Sequence, residues 1–181
     1  MGWKSNVQDI MYSALCAAFD MDPDAQASMD KFMPYYIDGM TIPQNDSDAD
    51  VCFYDVSIAP GEEFVLVNGS VNARTIRERI PVSVLFSFYG PSAEEEAEAF
   101  YRRVIVDTGH GCPRYVMRAG DCYPAFGPGL MPARPVLLWE PEGTFWRRRC
   151  DLRLNFVYLY EDKRNVNTVT EAPEIVTKVA E

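Results

Sequence analysis

Arg79-Ile80-Pro81-Val82-Ser83-Val84-Leu85-Phe86-Ser87-Phe88-Tyr89-Gly90-Pro91-Ser92 decides the fold. Ile80, Val82, Val84, Phe86 and Phe88 alternate with polar residues, so they share one side of a strand and predict a core face. Ser83, Ser87 and Tyr89 take the other side, which the pattern predicts to be partly solvated. Pro81 has no N–H to give a ladder, so it belongs at an edge, a bulge or a strand start. Gly90-Pro91 turns the chain. Ser92 with Glu95 matches a capping box, and Glu94, Glu95 and Glu96 fall in the first helical turn, where the helix dipole favours them. Ala93, Ala97, Phe100, Tyr101, Val104 and Ile105 form the apolar face of a helix that runs to about Val106.

A second long strand is legible downstream. From Phe145 to Tyr160, Cys150, Leu152, Leu154, Phe156, Tyr158 and Tyr160 share one face, and Asp151, Arg153 and Asn155 the other. Upstream, Val7, Ile10, Met11, Ala14, Leu15, Ala18 and Phe19 predict a helix over Ser5–Phe19, with Ser5 and Gln8 as a capping box. Residues 20–50 are rich in Pro, Gly and Asp and read as loop, with a short extended piece at 33–37. Val51 to Ala59 reads as a strand and Pro60-Gly61 as a turn. Asn68-Gly69 predicts a hairpin turn between 63–67 and a strand starting at Val71 that could run on to Tyr89. Residues 108–134 carry many Gly and Pro, with a short strand at 114–118; 134–139 predicts another strand and Pro141-Glu142-Gly143 a turn. Helices and strands in this order make the expected class α+β. Residues 1–160 form one domain and 161–181 an extended C-terminal arm.

Composition bounds the function. The 181 residues suit one domain, and 48% apolar with 13% aromatic side chains is enough for a core. No apolar run approaches a bilayer span, the first residues do not read as a signal peptide, and no membrane partner is expected. A net charge of −10 and a pI near 4.6 disfavour wrapping of nucleic acid, though not passive passage of DNA beside the protein. The five cysteines (Cys16, Cys52, Cys112, Cys122, Cys150) show no C-x-x-C spacing and read as reduced, mostly buried thiols.

Few residues carry chemistry. His110 is the single histidine, so a multi-histidine metal site is excluded; a nucleophile pair with nearby Cys112 is disfavoured, because such partners usually come from distant elements and need an orienting third group. Asp20-x-Asp22-x-Asp24 and Asp46-x-Asp48-x-Asp50 resemble the start of a calcium loop. They lack Gly at position six (Ala25, Val51) and Glu at position twelve (Lys31, Ser57), and read as solvated loops. Neither phosphate-cradling glycine motif is present. Asn68-Gly69-Ser70 fits a glycosylation sequon, but a hairpin turn accounts for it better. Arg147-Arg148-Arg149, with Arg153 beyond, could meet phosphate, acidic neighbours in the same subunit, or acidic residues of a neighbouring subunit such as Glu94, Glu95 and Glu96. The net negative charge favours the paired readings.

The element order resembles the neck-terminator and tail-terminator proteins of tailed bacteriophages. The anchors are Val82-x-Val84-x-Phe86-x-Phe88-Tyr89-Gly90-Pro91-Ser92-Ala93 followed by Ala97, and Trp146-x-x-Arg149-x-x-Leu152-x-Leu154-x-Phe156. The resemblance spans about 33–160; the Gly/Pro-rich stretch 109–135 is longer than the family's, and the C-terminal residues read as an addition. It implies a mixed, mainly antiparallel sheet with two helices packed on one face, and a virion structural protein of the tail or neck, made in the host cytoplasm, without catalytic residues, cofactor or metal. It implies a ring, six-fold in the family's usual form, that caps the tail tube, joins it to the head connector and lets DNA through its bore. Interface residues would be Arg147, Arg148, Arg149, Arg153, Glu94, Glu95 and Glu96. Glu62, Glu63, Asp46, Asp48 and Asp50 are candidates to line the lumen. The alternatives are another head-completion or minor tail protein, a small-molecule or peptide-binding domain, and a Cys/His hydrolase.

Overall fold

The computed structural model of the chain describes residues 2–35, 49–59, 64–70, 73–106, 109–126, 131–142 and 145–165. The predicted Pro60-Gly61 turn lies outside them, as does most of the acidic loop at 44–50. The order is α1 (Trp3–Ala18), α2 (Gln26–Lys31), β1 (Phe32–Pro34), β2 (Val51–Ile58), β3 (Phe64–Ser70), β4 (Ala73–Tyr89), α3 (Ala93–Val106), α4 (Pro113–Ala119), β5 (Cys122–Pro124), β6 (Val136–Glu142) and β7 (Phe145–Asn165).

The two long amphipathic strands form the spine. β4 and β7 pair antiparallel over the whole of β4, from Ala73↔Asn165 to Tyr89↔Arg149. At about 3.3 Å per residue this ladder is roughly 55 Å long. The sheet runs β1-β2-β4-β7-β5, with β3 also on β4 and β6 also on β7. β1 lies parallel to β2 and every other pair is antiparallel, so the α+β class with a mixed sheet is as expected.

Pro81 sits within β4, not at its start. The Ala59 N–H donates to the Pro81 carbonyl at 2.9 Å. A residue's N and O point to the same side of an antiparallel ladder, so the Pro81 nitrogen faces Ala59, just past the end of β2 at Ile58, and this pair keeps one of the two bonds that a hydrogen-bonded pair exchanges. The hairpin register also moves. Ser70 pairs with Ala73 and Asn68 with Thr75, so Asn68 and Gly69 lie inside β3 and the connection is 71–72, not Asn-Gly. Pro141 is likewise inside β6, opposite Trp146.

The main core fills one face of the sheet. Val82, Val84, Phe86 and Phe88 of β4 and Cys150, Leu152, Leu154 and Phe156 of β7 meet Val7, Met11, Ala14 and Leu15 of α1 and Ala93, Ala97, Phe100 and Val104 of α3. Phe100 stands 4.8 Å from Phe86 and 6.1 Å from Phe88, centroid to centroid. The two expected helices are α1 and α3; two short ones join them. α4 replaces the strand expected at 114–118. Cys112 is its N-cap, accepting the Tyr115 N–H at 3.4 Å on Sγ, Pro113 takes the first turn and Gly120 ends it. α2 lies in the stretch read as loop. α1 starts at Trp3 behind Gly2, with no side-chain cap, so Ser5 and Gln8 are inside the helix and their capping box does not form. β7 continues to Asn165, five residues into the predicted arm; residues 166–181 lie outside the described ones.

Candidate interface surfaces

The period of two in β7 splits the arginine run between the faces of the sheet. Arg148 points to the helix side. Its guanidinium donates to Glu94 Oε2 at 2.6 Å and to the Pro91 carbonyl at 3.0 Å, and the Gly90 N–H donates to the Arg148 carbonyl at 3.4 Å. Arg148 thus ties the Gly90-Pro91-Ser92 turn and the start of α3 to β7.

Arg147 and Arg149 point to the other face, over the Tyr89 ring at 4.6 and 5.6 Å. Arg149 makes a two-pronged pair with Asp151 (Nε to Oδ1 2.7 Å, Nη2 to Oδ2 2.9 Å) and reaches Ser87 Oγ at 3.3 Å and Glu140 at 3.4 Å. Burial works against its charge, but the bonds to Asp151 outweigh it and hold its pKa above the ordinary arginine value. Tyr89 Oη donates to Glu140 at 2.9 Å. Burial pushes its hydroxyl pKa up; Arg149 opposes that and Glu140 reinforces it.

Phe53 lies edge-on between Tyr35 (5.9 Å) and Tyr89 (5.7 Å), with Val51 and Met33 beside it. This second cluster corrects the expectation of a partly solvated face: Ser83, Ser87 and Tyr89 are all buried. Alternation finds which side a residue takes. It cannot tell that large side chains of the flanking strands, Phe53 and Arg149, close in on that side.

The other expected residues are placed as follows. Glu94 pairs with Arg148, Glu95 is exposed, and Glu96 is a close partner of Lys31. Lys31 lies 5.1 Å from the Phe19 ring and 5.9 Å from the Phe32 ring. Burial raises the Glu96 pKa, with Lys31 pulling it down and Asp50 adding to the rise. Arg153 is exposed on the second face, opposite Leu85. The arginines at 148 and 149 are therefore matched within the subunit, as one of the paired readings had it.

Asp50 has a definite task. Its Oδ1 accepts the Ser92 N–H at 2.8 Å. In a capping box Glu95 would reach back to that N–H; Asp50, at the entrance to β2, supplies the acceptor instead. Glu62, Glu63, Asp46 and Asp48 lie outside the described residues.

His110 is exposed, with its ring 4.7 Å from Tyr115, while Cys112 is buried and caps α4. Asp22 accepts the Asp24 N–H and Asp20 pairs with Arg103 at 3.1 Å, so the first acidic triplet is spent on local turns and one ion pair. No group of three His, Cys, Asp or Glu able to hold a metal occurs among the described residues, and no helix among them is long and apolar enough to cross a membrane. No protein-family model matches the chain, and no curated protein matches it in sequence.

Proposed function

We propose that this chain is a virion structural protein of the head–tail interface, a neck or tail terminator. It assembles into a ring, six-fold in symmetry, that caps the tail and joins it to the head connector while DNA passes through the bore. The observation that carries the reading is the joining of the two motif segments. The strand–Tyr-Gly-Pro-Ser–helix unit and the Trp146-to-Phe156 strand lie side by side in one register, and Arg148 pins the turn of the first to the second. A sheet that leaves a free edge among its described residues suits a subunit that completes itself against neighbours. The net charge of −10 suits a channel wall that must not grip DNA. On this reading the active parts are surfaces, and no catalytic residue, cofactor or metal is needed.

Immunogold labelling of purified virions with an antibody to this chain tests the placement. Gold at the head–tail joint is the expected result. Gold at the tail tip, on the capsid shell or nowhere on the particle contradicts it. His110→Ala separates the hydrolase reading: particle yield should be unchanged.

A further inference from the structure

The hairpin of β6 and β7 overhangs the rest of the sheet. β4 ends at Tyr89, opposite Arg149, so Trp146 to Arg148 of β7 are flanked by β6 alone among the described residues. On its helix side the hairpin carries Leu137, Trp139 and Pro141 of β6 and Trp146 of β7, with Trp139 opposite Arg148. Trp139 is 59% and Trp146 67% exposed, and at about 250 Å² for a whole tryptophan side chain the two alone offer roughly 300 Å² to water. A patch of that size is about the largest on an ordinary monomer and commonly marks a contact. Exposed carboxylates border it. Glu94 is held by Arg148, and Glu95 follows on the first turn of α3 with no ion pair among the described residues.

A second apolar surface lies elsewhere. α1 and α3 pack on one face of the sheet. On the other, the second aromatic cluster occupies the end at Phe53 and Tyr89. The middle of that face carries Pro81 and Leu85 of β4, Val157 and Leu159 of β7 and Tyr123 of β5. Tyr123 is 38% and Leu159 44% exposed, and the other three are partly buried. An exposed arginine marks each end: Arg153 opposite Leu85, and Arg79 opposite Leu159, about 20 Å along the strands. Neither has an ion pair among the described residues.

We infer that the tryptophan face of one copy seats on this sheet face of a second copy, with the glutamates of the α3 first turn meeting Arg79 and Arg153. Charge selects the occupant. A chain of net charge −10 repels its own copies, so self-contact needs cations on one of the two surfaces. The sheet face supplies them, and the tryptophan face supplies the anions. Like faces match less well: two tryptophan faces would bring the α3 glutamates together, and two sheet faces the arginines. Donor and acceptor therefore differ, and a head-to-tail contact of this kind can close into a ring. The inference deepens the ring proposed above by naming its subunit contact. It is tested on purified chain, so its failure is distinct from a failure of the virion placement.

The test uses the full chain and two double variants. Trp139→Ser with Trp146→Ser strips the first surface, and Arg153→Glu with Leu159→Asp makes the second acidic. All four positions are exposed, and circular dichroism and melting curves matching the wild type show that each variant is folded. Sedimentation velocity should find the wild type associating as concentration rises, less strongly at about 0.5 M salt than at about 0.05 M. Each variant alone should associate more weakly by about ten-fold or more. An equimolar mixture of the two should form a heterodimer and nothing larger, because one keeps the sheet face and the other the tryptophans. A wild type that stays monomeric up to about 100 μM, well above the dissociation constant of a micromolar contact, overturns the inference and leaves the tryptophan face to a different protein. So does association that salt leaves unchanged, a mixture that stays monomeric, or either variant associating like the wild type.

Discussion

Gly90→Ala should cost about 2–4 kcal/mol of stability, the sum of two effects of comparable size. Gly90 has φ +112°, a conformation that L side chains rarely adopt, and holding a methyl-bearing residue there costs on the order of 1–3 kcal/mol. A Cβ at this position would also stand 2.4 Å from Asp50 Oδ1, 2.8 Å from the Ala49 carbonyl and 2.8 Å from Asp50 Cα. Two of those three atoms are backbone, so the entrance to β2 has to move. Moving it takes Asp50 away from the Ser92 N–H, a loss of the kind that costs roughly 0.5–2 kcal/mol at a helix start. Asp50→Ala should show that second part alone, about 1 kcal/mol. The assay is urea unfolding followed by far-UV circular dichroism, with the double variant completing a cycle. Because the added methyl has already displaced Asp50, the double variant should cost little more than Gly90→Ala, a coupling near ~1 kcal/mol. Equal losses for the two single variants, or strictly additive losses, would refute the idea that Gly90 is needed to let Asp50 reach the turn.

Three further expectations follow from the core and its charges. Phe100→Ala removes a fully buried ring packed on Phe86 and Phe88 and should cost about 3–5 kcal/mol, read as a fall in the urea midpoint at unchanged slope. Glu96 has its pKa raised in the folded state, so its contribution to stability is greatest below about pH 4.3 and is lost as pH rises through the folded value. Compared with Glu96→Gln, the wild type should therefore lose relative stability as the pH climbs from about 4 to 7; a relative gain would show that Lys31 outweighs burial. The thiols of Cys52 and Cys122 are fully buried, with burial pushing Cys122 up to about 12 and Cys52 well above its ordinary value. Both should resist iodoacetamide at pH 8 in the native protein and react on unfolding, as counted by intact mass.

β4 and β7 are legible in the sequence because their period of two puts one face in a continuous core, whereas β2 alternates imperfectly because both of its faces are buried, Cys52 and Tyr54 in the main core and Val51 and Phe53 in the second cluster. β2, β4 and β7 lie within a residue or two of their expected limits, apart from the run of β7 to Asn165, and α3 ends at Val106 as its apolar spacing predicts. What escapes such a reading does so for physical reasons. Asn68-Gly69 is a strong local turn signal, yet pairing of β3 with β4 sets the register and overrides it. α4 spans seven residues, too few for periodicity to speak, but Pro113 at its start and Gly120 at its end mark it. Ser92-x-x-Glu95 reads as a local cap, whereas the acceptor comes from Asp50, forty-two residues away, which no local pattern encodes. The run of arginines is visible as charge. That Arg148 braces a helix while Arg149 lies in a network with Tyr89, Asp151 and Glu140 depends on which strands flank β7. The exposure of Val136 to Trp139 on β6, which pairs with β7 alone among the described residues, is hidden for the same reason, since apolar content alone would place them in a core.

The head–tail reading is tested most directly by electron microscopy of a lysate from a phage carrying an early stop codon in this gene. DNA-filled heads without tails, beside free or overlong tails, are the predicted result. Complete particles in normal numbers would contradict it.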